Sequence, residues 1–251
     1  MKITILGSGT STGVPMVGCH CQVCDSTDPR DKRTRASILV ECGGSRILVD
    51  TSTDLREQAL REAIPRIDAV LLTHTHADHI HGIDDLRGFF FLHRKVIPCY
   101  GSPDTMDKVA ASFGYIFEGR QTDGYAPLME PFSVEEAFEL FGCRIVPIPM
   151  RHGSFATTGY RFGDAAYLTD CSSIPESSMA LLNGLELLII DALRYSPHPN
   201  HFNIEGALQV VRELKPRRTL LTHLTHEVHH KDGEKLPDGV ELAYDGMAVE
   251  L

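Results

Sequence analysis

The sequence predicts an α/β fold whose strands are gathered into two sheets, and three features carry that prediction. Five short apolar runs each end in a polar residue able to bind metal or support a ligand: Ile47-Leu48-Val49-Asp50, Leu71-Leu72-Thr73-His74, Tyr167-Leu168-Thr169-Asp170, Leu188-Ile189-Ile190-Asp191 and Leu220-Leu221-Thr222-His223. Continuous apolar segments of this kind suit strands buried on both faces, so their C-terminal ends converge on one rim. The tetrapeptide Leu-Leu-Thr-His stands at 71–74 and again at 220–223, which fits two related half-units better than one open sheet. Residues 37–42 and 46–50 flank Gly43-Gly44 and read as an antiparallel hairpin.

Helices are fewer. From Asp54 to Ile64 the residues Leu55, Ala59, Leu60, Ala63 and Ile64 share one stripe before Pro65 stops the helix, and Asn203 caps a second helix running through Leu214 before Pro216. Both should cover a sheet from outside. Residues 112–135 mix Gly, aromatic and acidic side chains without a period, and are expected to form an irregular connection.

Bulk properties bound the function. A chain of 251 residues with 42% hydrophobic and 23% charged residues is an ordinary globular protein, expected as a single domain spanning 1–251. A formal charge of −10, from 34 acidic against 24 basic side chains, argues against a broad nucleic-acid surface, which would need a Lys/Arg stripe. The basic cluster Arg30-Asp31-Lys32-Arg33-Thr34-Arg35 reads as a solvated connector. No apolar stretch reaches membrane-span length, and Met1–Gly7 is too short for a signal peptide, so no membrane association and a cytoplasmic location are expected.

The densest chemistry lies at 74–79, His-Thr-His-Ala-Asp-His, directly after the apolar run Ala69–Thr73. Imidazole and carboxylate are ligands for Zn²⁺, Mn²⁺ and Fe²⁺, and four of them in six residues need a turn to gather them. In an extended tail His74 and His76 share a face and suit one ion, whereas Asp78 and His79 come after the turn and reach a second. His152 in Met150-Arg151-His152-Gly153, with Asp170 and His223 at the ends of apolar runs, extends the set.

Seven cysteines, three of them in Cys19-His20-Cys21-Gln22-Val23-Cys24, favour thiolate–metal chemistry over disulfides. Three thiolates suit one tetrahedral Zn²⁺ and require a fourth ligand from elsewhere. Cys42, Cys99 and Cys143 read as small buried hydrophobes, and Cys171 as core despite its place beside Asp170. The segment Gly7–Pro15 lacks the Lys of a Walker loop and no helix pattern follows it, so it is not read as a phosphate cradle.

His-x-His-x-Asp-His followed by a histidine, an aspartate and a final histidine resembles the metallo-β-lactamase superfamily over essentially the whole chain. The resemblance implies a four-layer αββα sandwich with metals at one edge. It implies that His74, His76 and His152 hold one divalent ion, that Asp78, His79 and His223 hold the other, and that Asp170 bridges them. Asp50 would orient the ligand loop from behind. The cysteine cluster narrows the likeness to the PhnP-type phosphodiesterases of phosphonate breakdown, which act on phosphoribosyl 1,2-cyclic phosphate; by that likeness His226 completes a structural zinc site with Cys19, Cys21 and Cys24.

The resemblance further implies two catalytic metals, Zn or Mn with Fe as a third choice, and hydrolysis of a small, cyclic phosphodiester. His201 in Pro199-Asn200-His201 would be the general acid, with Asp78 counted beside it among the catalytic residues. Arg87 is a candidate to steer a phosphate, although an ion pair with Asp84 is the favoured reading. Other metallo-β-lactamase-fold hydrolases, tRNase Z among them, share the metal motifs, but no basic Gly/Pro-rich tRNA-binding arm is visible. A metal-stabilised binding or carrier module is the non-enzymatic alternative, and a homodimer is left open. The residues after Asp50, Thr51-Ser52-Thr53, and Phe89-Phe90-Phe91 depart from PhnP itself, so the pocket admits other diesters.

Overall fold

The computed structural model describes residues 1–118 and 128–251. Strands β1 (Lys2–Gly7), β2 (Ser37–Cys42), β3 (Ser45–Val49), β4 (Ala69–Leu71), β5 (Ile97–Gly101) and β6 (Met129–Ser133) belong to the first sheet. Strands β7 (Phe138–Leu140), β8 (Cys143–His152), β9 (Phe155–Phe162), β10 (Ala165–Leu168), β11 (Leu187–Asp191), β12 (Arg218–Thr222) and β13 (Val240–Leu242) form the second. The last strand, β14 (Ala248–Glu250), returns to the first. The spatial orders are β14-β1-β2-β3-β4-β5-β6 and β13-β12-β11-β10-β9-β8-β7.

Strand side chains divide by parity, as period-2 alternation requires. Ile47, Val49, Leu71, Ile189 and Leu220 point between the sheets and pack with Tyr160 and Tyr167. Leu48, Val70 and Leu72 point outward beneath helices α1 (Leu55–Arg61) and α4 (Pro103–Phe117), and Leu188, Ile190 and Leu221 point outward beneath α6 (Ile204–Leu214). With both faces covered, the central strands β3, β4, β10, β11 and β12 show little polar alternation, and the layering is the expected αββα. The remaining helices, α2 (Ala77–Ile80), α3 (Arg87–His93) and α5 (Glu176–Met179), are short.

Strands β3, β4 and β5 run parallel, as do β10, β11, β12 and β13. Their C-terminal ends therefore emerge together, as ligand-binding ends of parallel strands do. The two Leu-Leu-Thr-His tetrapeptides occupy equivalent places at the ends of β4 and β12, each flanked by parallel neighbours. The sheets are locked at that edge, where Tyr160 Oη donates to Leu72 O at 2.8 Å and Thr158 N to Thr73 O at 3.0 Å.

Four expectations are corrected. The helix predicted over 54–64 ends at Arg61, because Ala63 turns into left-handed backbone at φ 47°. Its inward face carries Gln58, whose amide donates to Thr34 Oγ1 and Arg35 O at 2.9 Å each, while Leu60 is exposed. The stretch 112–135 is not irregular throughout: residues up to Phe117 continue α4, which kinks at Phe113, and Met129–Ser133 is β6. Residues 119–127 of that expectation lie outside the described ones.

Cys99 and Cys143 are buried as expected, but Cys42 is half-buried. The basic cluster is not wholly solvated either. Arg33 and Asp31 are both buried and face each other at 3.4 Å. Arg33 Nη1 donates to the carbonyls of Thr225 and Val228 at 3.0 and 2.8 Å, and Asp31 accepts from His230 N at 2.7 Å. The pair thus braces the loop after His223. Arg33→Met leaves the buried Asp31 carboxylate without its arginine and removes the donor to two carbonyls, so we expect a loss of about 3 kcal/mol in denaturant unfolding; an unchanged midpoint would show that no such brace operates.

Candidate metal centre

The rim where the parallel strands end is built from strained backbone. Asp50, Asp170 and His223, following β3, β10 and β12, adopt φ of 64°, 52° and 60°, left-handed values that Asp and His tolerate better than most residues and that cluster at functional sites. After β4 the chain is tied down by Asp50: Thr73 N and Thr73 Oγ1 each donate to its carboxylate at 2.8 Å. It stays extended to His76 (φ −66°, ψ 149°), then coils into the single turn of α2. That change of backbone throws His74 and His76 to one side and Asp78 and His79 to the other.

The metal-binding atoms of His74, His76 and Asp170 lie within 4.8 Å of one another, as do those of Asp78, His79 and His223. Asp170 stands between the two sets, with Oδ1 3.9 Å from His74 Nε2 and Oδ2 3.0 and 3.4 Å from His79 Nε2 and His223 Nε2. His152, at the end of β8, holds Nδ1 2.7 Å from Asn200 O and packs its ring 5.1 Å from that of His76.

The donor set fits divalent cations. His74 Nε2, His79 Nε2 and both ring nitrogens of His223 are buried without a hydrogen-bond partner, a costly state for polar atoms unless something else satisfies them. Burial, with His79 close by, holds His74 well below the ordinary imidazole range, in the neutral form that a metal ligand needs. Burial would also lower His79 and His223, yet the carboxylates prevail: Asp170 and Asp50 hold His79 well up, and Asp170 and Asp78 raise His223 to about 9. The buried acids thus demand positive charge among them, and cations can supply it.

Behind these side chains, Asp50 Oδ2 lies 2.7 Å from His79 Nδ1, a contact of the kind that would orient a ligating imidazole. His201 Nδ1 lies 2.7 Å from Asp191 Oδ2, and its ring stacks on His223 at 4.8 Å. Nε2 of His201, across the ring from Asp191, is left for other work. Arg87 makes the favoured ion pair with Asp84, at 3.1 Å, and lies over the ring of Tyr115.

A second cluster forms beside the first. Cys19, Cys21 and Cys24 place their Sγ atoms 3.3, 3.4 and 3.6 Å from His226 Nδ1, close to the roughly 3.6 Å edge of a tetrahedron with ordinary Zn–S and Zn–N bonds. The backbone amide of Cys24 is the main influence pulling the Cys21 thiol down to about 6, whereas burial pushes Cys24 up to about 11. His20 points away and sits 3.4 Å from Asp25. Leu224 N donates to Ser8 O and Thr10 N to Leu224 O, so the opening Gly-rich loop leads from β1 past the His223 loop into this cluster.

The sequence profile of the β-lactamase superfamily domain matches residues 45–224. The chain belongs to that superfamily. A solved diphosphatase of the PhnP family superposes with a TM-score of 0.92 and 44% identity, over 100% of this chain and 97% of its own. Zn²⁺-bound PqqB from Methylobacterium extorquens superposes with a TM-score of 0.82 at 20% identity, over 100% of both chains, a likeness of fold. A Porphyromonas gingivalis protein named octanoyltransferase is 40% identical over 98% of this chain. The chain spans only 51% of that relative, so its name describes a protein about twice as long.

Within this superfamily site, Asp191 was not singled out by sequence reasoning. Its signal was present, since Leu188–Asp191 is one of the five apolar runs with a polar end. A strand-end aspartate reads as a turn former, and only the fold brings His201 onto it. Asn200 and Gly153 were equally silent. Gly153 has φ 61°, and a Cβ there would lie 2.2 Å from Asn200 Oδ1, so the β8–β9 turn fits only as glycine against the loop that carries His201. Among the described residues no helix is long and apolar enough to cross a membrane.

Proposed function

We propose that this metallo-β-lactamase-fold hydrolase cleaves a P–O bond of a small phosphodiester or diphosphate at a two-metal centre. The observation that carries the reading is the Asp191–His201 pair at 2.7 Å beside a set of seven other donors, which would leave His201 to serve as a proton donor. The likeness to a PhnP-family diphosphatase at 44% identity supports the same chemistry and widens it from cyclic diesters such as phosphoribosyl 1,2-cyclic phosphate to P–O–P bonds.

His74, His76 and His152 would hold one ion, Asp78, His79 and His223 the other, and Asp170 both. When bound, such ions activate a water at neutral pH and neutralise phosphoryl oxygens. The chain's own residues supply the rest. Asp191 accepts the Nδ1 proton of His201 and fixes the ring, so that Nε2 can deliver a proton to the departing oxygen. Asp50 fixes His79, and Asn200 O fixes His152, in the tautomers that leave Nε2 free to ligate.

Acyl transfer through a thiol is disfavoured, because Cys171, the cysteine next to Asp170, is fully buried and burial raises its thiol well above the ordinary value. A tRNA substrate is disfavoured by the charge of −10. The test is a panel of bis(p-nitrophenyl) phosphate, phosphoribosyl 1,2-cyclic phosphate, 2′,3′-cyclic nucleotides, ADP and a tRNA precursor, with metal content measured in parallel. We expect turnover of small diesters or diphosphates. Full metal loading with none of these cleaved would favour the carrier module instead.

The Cys19, Cys21, Cys24 and His226 cluster is proposed to hold a structural zinc. Cys24→Ser is then expected to lower zinc by one per chain and to lower the melting temperature, since structural zinc contributes directly to folding. An unchanged zinc count by elemental analysis would remove the assignment.

A further inference from the structure

The mouth of the metal centre carries a large apolar group that the proposed chemistry leaves unused. Phe155 opens β9 and is 56% exposed, although its ring lies 5.9 Å from that of His76 in a T-shaped contact. Exposure here does not come from a loose tip. Gly153 N donates to Ser172 Oγ at 3.0 Å, Arg151 N donates to Ser173 O at 3.0 Å, and His152 Nδ1 lies 2.7 Å from Asn200 O. The turn is thus pinned on both sides to the loops that carry Asp170 and His201.

A phenyl ring held in water on a rigid hairpin, beside a candidate metal ligand, retains surface that a flat ligand can cover. No cation covers it: among the described residues the cations found over phenyl or phenol rings are Arg87 over Tyr115 and Arg94 over Phe91. Phenylalanine offers a π-face and no hydrogen-bonding group, which suits stacking that tolerates any base.

We propose that Phe155 is a stacking platform for a nucleobase, and that the substrate is a nucleoside-bearing phosphodiester or diphosphate with its phosphate at the metal centre and its base on this ring. The inference rests on the phosphohydrolase reading and narrows it, since a base-free sugar cyclic phosphate leaves Phe155 unused.

Two esters with the same sugar and leaving group isolate the base: the p-nitrophenyl ester of thymidine 5′-phosphate and that of abasic 1,2-dideoxyribose 5-phosphate. The metal-loaded protein should prefer the nucleoside ester in kcat/KM by at least about tenfold. Phe155→Ala should remove about a factor of ten from that ratio through KM, and Phe155→Trp should keep it. The chain contains no tryptophan, so Phe155→Trp also introduces a sole indole, whose fluorescence thymidine 5′-monophosphate should quench and glycerol phosphate should not. Turnover of both esters without preference would overturn the platform and leave the hydrolase standing. Equal losses on both in Phe155→Ala, with lowered metal content, would overturn it too, by showing that the ring only packs His76. Hydrolysis of neither ester would count against the phosphohydrolase reading alone, and the quenching experiment would still decide whether a base binds here.

Discussion

Asp170→Asn is expected to cut turnover by about a thousandfold or more and to leave at least one divalent ion fewer in the site. Its carboxylate reaches both donor sets, with oxygens 3.9 Å from His74 Nε2 and 3.0 and 3.4 Å from His79 and His223. Asparagine keeps its size and, like aspartate, tolerates the left-handed backbone of φ 52° at this position, so the change isolates charge from fold. A bound ion contributes several kcal/mol of charge stabilisation, and each 1.36 kcal/mol is about a factor of ten in rate. Less metal should also mean less metal-dependent stabilisation against heat. Elemental analysis and steady-state rates on one preparation check the prediction. Two ions retained, with turnover within about tenfold of the parent, would refute a bridging role.

The layering was legible because strands buried on both faces leave continuous apolar runs, and the donor set because its histidines and aspartates recur together at such run ends, although each alone reads as a cap or a turn former. What escaped has physical reasons of its own. Strand β6 buries only Met129 of its five residues, and it carries Pro131, which an edge position allows. The helix α4 ends among Gly and aromatic residues and kinks at Phe113, so its period is broken where the sequence would reveal it. Helix α1 turns a glutamine inward because the amide has partners on β2's approach, which no hydrophobic period can register. Arg33 and Asp31 look solvated in a charged stretch, and their partners lie near residues 225–230, far along the chain.

The site itself divides the same way. His74, His76, Asp78 and His79 are local in sequence and were readable as a unit. Asp170, His152 and His223 were readable as strand ends, and the family resemblance gave each a place. Asp191 and Asn200 contact other side chains, His201 and His152, and contacts of this kind leave no spacing signature. Phe155 likewise gains meaning only once the hairpin is seen to be pinned beside His76.

His201→Ala should separate proton delivery from metal chemistry. With its Nδ1 tied to Asp191 at 2.7 Å, His201 can offer the Nε2 proton to a departing alkoxide, an oxygen too basic to leave unaided. General acid catalysis of this kind is worth about 10²–10⁴-fold. We therefore expect a loss of about 10²–10³ on diesters with alkyl leaving groups and less than about tenfold on p-nitrophenyl esters, whose phenolate leaves without a proton. The rate should accordingly depend more steeply on leaving-group basicity than in the parent. Asp191→Asn should steepen it in the same direction by misorienting the ring, with a smaller loss. Because the His201 ring also stacks on His223 at 4.8 Å and Asp191 Oδ1 lies 3.9 Å from His223 Nδ1, metal content must be measured in both variants. Equal losses across leaving groups at full metal loading would assign His201 to positioning His223 and not to the proton.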